Sequence, residues 1–130
     1  MEIVDNMYYG FGRIVLALSL ADGKVDQSEI EMLEKSIDEV AEERGIDLSM
    51  VITAFQQWKT IKSFSTEEMM RGGLHDFHLG DLHLTPELAS IFRAIVIDVV
   101  SAEPPITSKE QEMAREFISY LNERERNISK

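Results

Sequence analysis

The nine residues from Ala21 to Glu29, ADGKVDQSE, decide the fold, because a stretch of the same design returns 81 positions later as AEPPITSKE, from Ala102 to Glu110. Each copy reads as an alanine, an acidic residue, two turn residues, a β-branched residue, a helix N-cap and a glutamate three residues after the cap. The flanking residues also match under this shift, with Ile14-Val15 over Ile95-Val96. The sequence therefore predicts an internal duplication of a helical hairpin.

Apolar residues recur at steps of three and four along most of the chain, which predicts α-helices, and no alternating strand pattern is present. We expect an all-α bundle of about six to seven helices. The chain has 130 residues, which suits a single domain over residues 1–130 with one core. The duplicated halves span about 4–44 and 86–126, and connecting helices and a loop occupy 47–85.

The turn Ala21-Asp22-Gly23, with Glu29 seven residues after the aspartate, closes one apolar helix and opens an amphipathic one. This pattern resembles the TerB-like family, which includes tellurite-resistance TerB proteins and the related domain of membrane-anchored J-domain co-chaperones. The resemblance covers most of the chain. The second copy departs from the pattern, because Glu103-Pro104-Pro105 replaces the aspartate-glycine turn.

The resemblance implies a TerB-like bundle of about seven helices with pseudo-two-fold internal symmetry. It also implies a stress-response protein, related to tellurite or metal resistance, that acts in larger assemblies and catalyses no reaction. The acidic turn residues of that family are suspected of binding cations. The chain has no cysteine, so any link to tellurite would not be direct thiol chemistry.

Local signals predict where several helices begin, end and approach one another. Gly10 and Gly12 in the first helix are expected to allow another helix to come close. Asp47 and Thr85 are candidate N-caps. Ser65 and Glu68, as a capping box, are expected to start a short helix that ends near the glycine pair at 72–73.

Two helices carry further expectations. The segment from Pro86 to Ala102 is apolar nearly all round, so it is expected to be the central and most buried helix. Asp98 lies within it, and a buried carboxylate would need a partner such as Arg13 or a tyrosine. The last helix is expected to begin at Thr107, and the polar tail NERERNISK is expected to fray.

Composition excludes several classes of function. The net charge is −11, from 24 acidic and 13 basic side chains, and no basic patch for nucleic acid is present. The longest uncharged apolar stretch, Ile14 to Ala21, is too short to span a bilayer, and the N-terminus lacks the basic region of a signal peptide. We expect a cytoplasmic protein without membrane insertion, whose protein partners are basic. No nucleophile–base pair is evident, so we expect no enzyme.

Asp22, Asp26 and Glu29 allow two interpretations. Asp26 and Glu29 form a capping box and Asp22 an Asx turn, which makes all three structural. Alternatively, the three carboxylates bind a divalent cation, Ca, Mg or Mn rather than Zn, because Asp22 lies at a helix C-terminus where its charge is otherwise unfavourable. The spacing is not that of an EF-hand. Glu103 and Glu110 are the weaker equivalents in the second copy.

All three histidines fall within nine residues that also contain two aspartates: His75, Asp76, His78, Asp81 and His83. Imidazole and carboxylate groups in this density could hold zinc. The alternative is a polar connector between helices, with the histidines in solvent and the apolar side chains packed down, namely Leu74, Phe77, Leu79, Leu82 and Leu84.

The second helix has an acidic side on which Glu31, Glu34, Asp38 and Glu42 are predicted to face water. Like charges four residues apart are mildly destabilising in a helix. This side is either an ordinary solvated face or a docking surface for a basic protein. The sequence leaves open the partner, the ion and the oligomeric state.

Overall fold

Six α-helices and one 3-10 turn make up the part of the chain that the computed structural model describes, residues 3–20, 27–58, 65–101 and 108–128. In chain order they are α1 (Ile3–Leu20), α2 (Gln27–Arg44), α3 (Ser49–Trp58), α4 (Thr66–Gly80), the 3-10 turn (Asp81–His83), α5 (Pro86–Ser101) and α6 (Ser108–Ile128). None of the residues in these four ranges lies in a β-strand, so the predicted all-α class is confirmed. Within the same ranges, no helix has the length and apolar composition needed to cross a membrane.

Side-chain caps fix the start of three helices, as predicted. Ser65 and Glu68 form the full capping box at α4: the hydroxyl accepts from the Glu68 amide at 3.1 Å, and the carboxylate accepts from the Ser65 amide at 3.4 Å. The Thr85 hydroxyl accepts from the amide three residues later at 3.1 Å. Asp47 accepts from the Ser49 amide at 2.9 Å, and bonding to Ser49 lowers the pKa of the Asp47 carboxyl.

The central helix is α1 and not α5, which corrects the prediction. Residues 10–18 are all buried and α1 contacts α3, α4, α5 and α6. In contrast, α5 turns one face to solvent, on which Ile97 is 55% exposed and Asp98 is exposed. The prediction that Asp98 is buried is therefore wrong. Arg13, its suggested partner, pairs with Asp76 instead.

Glycines in α1 let the neighbouring helices approach closely, as predicted. A β-carbon on Gly10 would lie 2.3 Å from the backbone nitrogen of Phe77 and 2.5 Å from the carbonyl oxygen of Gly73, both in α4. A β-carbon on Gly12 would lie 2.6 Å from the carbonyl oxygen of Val51 in α3. These contacts are between backbones, so neither position has room for a side chain.

One phenylalanine from each of four helices meets in the middle of the core. They are Phe11 of α1, Phe77 of α4, Phe92 of α5 and Phe117 of α6, and all four are fully buried. The ring centroids of Phe11 and Phe92 are 4.3 Å apart, and the rings of Phe77 and Phe117 meet edge to face at 5.3 Å. Aromatic pairs in such arrangements add to the stabilisation that burial alone provides.

Helix α4 continues well past the glycine pair, so the predicted stop at 72–73 is wrong. Both glycines are used for packing on α1. A β-carbon on Gly73 would lie 2.9 Å from Ile14 Cγ1, and one on Gly72 would lie 2.2 Å from the Arg13 guanidinium group. A glycine costs a helix about 1 kcal/mol relative to alanine, and these close contacts offset that cost.

The predicted polar connector after the glycine pair is also wrong, because most of it belongs to α4 and the 3-10 turn. Phe77 and Leu84 are buried as expected. Leu79 is 49% exposed and Leu82 is 84% exposed, so these two side chains do not pack down. The C-terminal end of α4 and the 3-10 turn therefore carry exposed apolar side chains beside the histidines.

Helix α6 extends to Ile128, which contradicts the expectation that the tail frays from residue 122 onward. Its core stripe of Met113, Ala114, Phe117 and Leu121 is buried as the 3.6-residue period requires. Two arginine contacts fasten the polar end: Arg124 to Asp81, and Glu125 to Arg93 at 2.8 Å. Thr107, the predicted first residue of this helix, lies outside the described residues.

Candidate functional site

The acidic turns that the sequence singles out lie mostly outside the described residues. Asp22, Asp26 and Glu103 fall in segments that the structure does not describe. The backbone of Glu29 is helical at the start of α2, but its side chain is outside the description as well. Glu110 is a buried residue of α6, 7% exposed. A divalent-cation site at these turns stays a prediction.

The histidine-rich stretch divides among different surroundings. His75, His78 and His83 are exposed, as expected for surface histidines. Asp76 pairs with an arginine of α1, and Asp81 is buried, 2% exposed. Across residues 3–20, 27–58, 65–101 and 108–128, no three His, Asp or Glu side chains come together as metal ligands. Zinc binding by this stretch stays a prediction.

Asp81 is the centre of a polar cluster that joins the end of α4 to α6. Its Oδ1 accepts a hydrogen bond from Arg124 Nη2 at 3.0 Å. Its Oδ2 accepts a hydrogen bond from the Tyr120 hydroxyl and lies 3.0 Å from His78 Nδ1. His78 Nδ1 is in turn 2.8 Å from the Tyr120 oxygen. Three side chains thus converge on one buried carboxylate.

The electrostatics of this cluster favour a structural clamp. Burial raises the pKa of Tyr120, and the hydrogen bond to Asp81 raises it further. The Tyr120 hydroxyl therefore keeps its proton at neutral pH and acts as the donor. Both oxygens of Asp81 already accept hydrogen bonds from the protein, so this carboxylate is not available as a general base.

Asp81→Asn should lower the free energy of unfolding by about 2 kcal/mol, because the neutral amide leaves the Arg124 charge without a counter-charge and has only one oxygen to accept from Arg124 and Tyr120. Urea denaturation followed by circular dichroism measures the change. Glu125→Gln is the matched control, since its ion pair with Arg93 is more exposed, with side-chain exposures of 27% and 24% against 2% for Asp81. An equal loss in both variants would contradict the clamp.

Arg13 of α1 is the centre of a second cluster, which the sequence did not reveal. Its side chain is 10% exposed, and Nη1 donates to Asp76 Oδ2 at 2.8 Å. The guanidinium carbon lies 3.9 Å from the centre of the Trp58 ring, a cation–π contact. Trp58 Nε1 donates to the Tyr9 hydroxyl at 2.7 Å, and that hydroxyl donates to Gln57. The cluster ties α1 to α3 and α4.

Helix α2 presents a predominantly acidic face to solvent. The exposed charged residues that share this face are Glu31, Lys35, Asp38, Glu39, Glu42 and Glu43. They recur at helical steps of three and four, while Ile30 and Ile37 face the core and are 6% and 1% exposed. A single lysine accompanies five carboxylates on this face, so its local potential is strongly negative. We call this set the acidic face.

The prediction of this face is partly correct. Glu31, Asp38 and Glu42 are exposed as expected. Glu34 is half-buried, and its Oε1 is buried without a hydrogen-bond partner among the described residues, so its predicted exposure is wrong. The sequence prediction overlooked Glu39 because it followed one row of residues four apart, although the same helical period places Glu39 beside that row.

Met32 adjoins the acidic face and is 70% exposed. Its counterpart under the shift of 81 positions, Met113, is only 7% exposed because it packs in the core. Two methionines that align under this shift therefore have different surroundings. An exposed apolar side chain among carboxylates combines the two kinds of contact that protein interfaces use, an apolar anchor and a charged rim.

A shallow apolar groove of about 120 Å³ lies between α5 and α6. Its lining residues are Val96, Ile97, Val100, Ser101, Ala114 and Ile118. None of these side chains is charged, so the groove supplies neither a cation ligand nor an acid–base group. The acidic face is therefore the stronger candidate for a functional surface.

Comparison of the chain with protein-family models, with curated proteins and with solved structures finds no match. The resemblance to the TerB-like family accordingly stays a prediction that rests on residues of the sequence.

Proposed function

We propose that this protein is a non-enzymatic interaction module that docks a basic protein partner on the acidic face of α2. The observation that carries the proposal is the exposure of five carboxylates, with Lys35 as the single base among them and Met32 beside them. Family membership in the TerB-like group, and a cytoplasmic stress-response role, are part of the proposal and rest on the sequence resemblance.

Charge favours a basic partner in two ways. The net charge of −11 attracts cationic proteins at long range, and the acidic face concentrates that attraction on one helix. Such steering speeds association and weakens with salt, because charges are screened over about 10 Å at 0.1 M ionic strength. A partner with lysine or arginine around an apolar side chain would match both the carboxylates and Met32.

The non-enzymatic part of the proposal is supported by the state of the buried polar groups. Asp81, which is buried, and Asp76, whose side chain is 21% exposed, are paired with Arg124 and Arg13 respectively. A carboxylate held in an ion pair makes a poor general base, because the neighbouring cation stabilises its deprotonated form and so disfavours uptake of a proton.

An internal duplication is also part of the proposal. Phe11 and Phe92 are 81 positions apart in the sequence, the same shift that relates the two acidic turns, and their rings are in contact. Equivalent residues that meet each other in the core are expected near the axis of a pseudo-two-fold pair. Not every such pair has the same surroundings. Leu16 is 1% exposed, whereas Ile97, 81 positions later, is 55% exposed.

The docking proposal is tested with a fluorescently labelled, lysine-rich amphipathic peptide whose anisotropy reports binding. We expect Glu31→Lys/Asp38→Lys/Glu42→Lys to weaken binding by about tenfold at low salt, because three attractive contacts become repulsive. The wild-type affinity should itself fall as salt rises.

The matched control places the same three reversals on α6, at the exposed residues Glu112, Glu116 and Glu123. Both variants have the same net charge, so any difference in their affinity for the peptide comes from where the reversed charges lie. Equal weakening in the two variants would mean that overall charge alone attracts the peptide, and the acidic face would lose its assigned role.

A further inference from the structure

The sulfur chemistry of this chain depends entirely on methionine, since the sequence has seven methionines and no cysteine. Among the described methionines, four are buried: Met7, Met69, Met70 and Met113, with exposures of 0%, 1%, 3% and 7%. Met50 is half-buried. Met32 differs from all of these, because 70% of its surface is open to solvent.

The position of Met32 on α2 explains its exposure. The helix packs on the bundle through Ile30 and Ile37, and Met32 points to the opposite side beside Glu31 and Lys35. An exposed apolar side chain contributes little to folding, so chemical change at Met32 leaves the core intact. The same change in Met113 would put a polar group into the core.

We propose that Met32 is a site of reversible oxidation to methionine sulfoxide by hydroperoxides, and that this oxidation weakens docking on the acidic face. The second half of this proposal rests on the proposed function, whereas the first half does not. Methionine sulfoxide is polar and can be returned to methionine by sulfoxide reductases, so the change can serve as a switch.

The reaction balances with hydrogen peroxide as the oxidant. The Sδ lone pair of Met32 attacks one peroxide oxygen, an S–O bond forms and the O–O bond breaks. The sulfur loses two electrons, and the departing hydroxide takes up the proton of the transferred hydroxyl oxygen to leave as water. No protein base is required, so solvent access to Sδ decides which methionine reacts first.

Oxidation also changes the contact that Met32 offers. The reduced thioether is an adaptable apolar group that fills gaps in a partner surface. The sulfoxide oxygen is a hydrogen-bond acceptor next to five carboxylates, and burying it without a donor is unfavourable. Docking of an apolar side chain over Met32 is therefore weakened, while attraction of cationic groups remains.

The site is tested by treating the folded protein with hydrogen peroxide, quenching at intervals, and measuring tryptic peptides by mass spectrometry. Trypsin releases Met32 in VDQSEIEMLEK and Met113 in EQEMAR, each without another methionine. We expect Met32 to gain oxygen at least about tenfold faster than Met113 in the folded state, and the two rates to become similar in urea. Oxidation of Met113 or Met69 as fast as Met32 in the folded protein would overturn the site.

The switch is tested with the lysine-rich peptide and three forms of the protein: reduced, oxidised, and the Met32→Gln variant as a polar mimic. We expect about a threefold weaker affinity for the last two, and no effect of peroxide on Met32→Leu, which stays apolar and cannot be oxidised. Unchanged affinity after complete oxidation of Met32 would overturn the switch. Absence of binding by the reduced wild-type protein would overturn the proposed function, and the oxidation rates would still decide the site.

Discussion

Phe77→Ala should lower the free energy of unfolding by about 4 kcal/mol, the largest single loss that we expect in this protein. The Phe77 ring is fully buried and meets Phe92 and Phe117 with centroids 5.7 Å and 5.3 Å away. It also meets the ring of Tyr120 at 5.9 Å. Removing it leaves a cavity between three helices, and urea denaturation measures the cost.

Leu82→Ala is the control for this prediction, because Leu82 is 84% exposed. Its removal should change stability by less than about 0.5 kcal/mol, as for ordinary surface substitutions. A loss below about 1 kcal/mol for Phe77→Ala would mean that the four phenylalanines do not form the packed centre described above.

Gly10→Ala should destabilise the protein by about 3 kcal/mol, although alanine is the better helix former by about 1 kcal/mol. The added β-carbon would collide with backbone atoms of α4, 2.3 Å from Phe77 nitrogen and 2.5 Å from Gly73 oxygen. A backbone cannot rotate away as a side chain can, so α1 and α4 must separate. A loss of stability therefore indicates the collision, because helix propensity alone would make the variant more stable. Thermal or urea unfolding measures the change.

Gly72→Ala is the matched control on the opposite side of the same crossing. The three atoms nearest its β-carbon would all belong to the guanidinium group of Arg13, the closest at 2.2 Å. That group is the far end of a flexible side chain, so it can move at the cost of its contacts with Asp76 and Trp58. We expect a clearly smaller loss than for Gly10→Ala. A stabilising Gly10→Ala would contradict the close crossing.

The sequence predicted features that depend on neighbouring residues. The capping box of Ser65 and Glu68 and the cap at Thr85 are local patterns, and both form as expected. The acidic face was found for the same reason, since a helical period relates residues three and four apart.

The sequence could not predict features that depend on residues far apart in the chain. Arg13 meets Asp76 across 63 positions, and Tyr120 meets Asp81 across 39. The sequence around each of these residues does not indicate which distant residue is its partner. The predicted helix end at the glycine pair 72–73 was wrong for a related reason. The packing of both glycines against α1 outweighs their poor helix propensity.

Composition alone could not identify the central helix either. Both α1 and α5 are strongly apolar, and Leu16 and Ile97 align under the sequence shift of 81 positions. Leu16 is 1% exposed and Ile97 is 55% exposed, because α1 is surrounded by neighbours and α5 lies at the side of the bundle. Which helix is surrounded depends on α3 and α4, both of which pack against α1.

An amide chemical-shift map tests directly whether the acidic face of α2 is the docking surface. The ¹⁵N-labelled protein is titrated with the lysine-rich peptide at low salt, and the shift of each backbone amide is followed. We expect the largest shifts within residues 30–43, and we expect them to shrink as salt is added. Shifts concentrated on α5 and α6, or spread evenly over every acidic surface, would contradict the docking proposal.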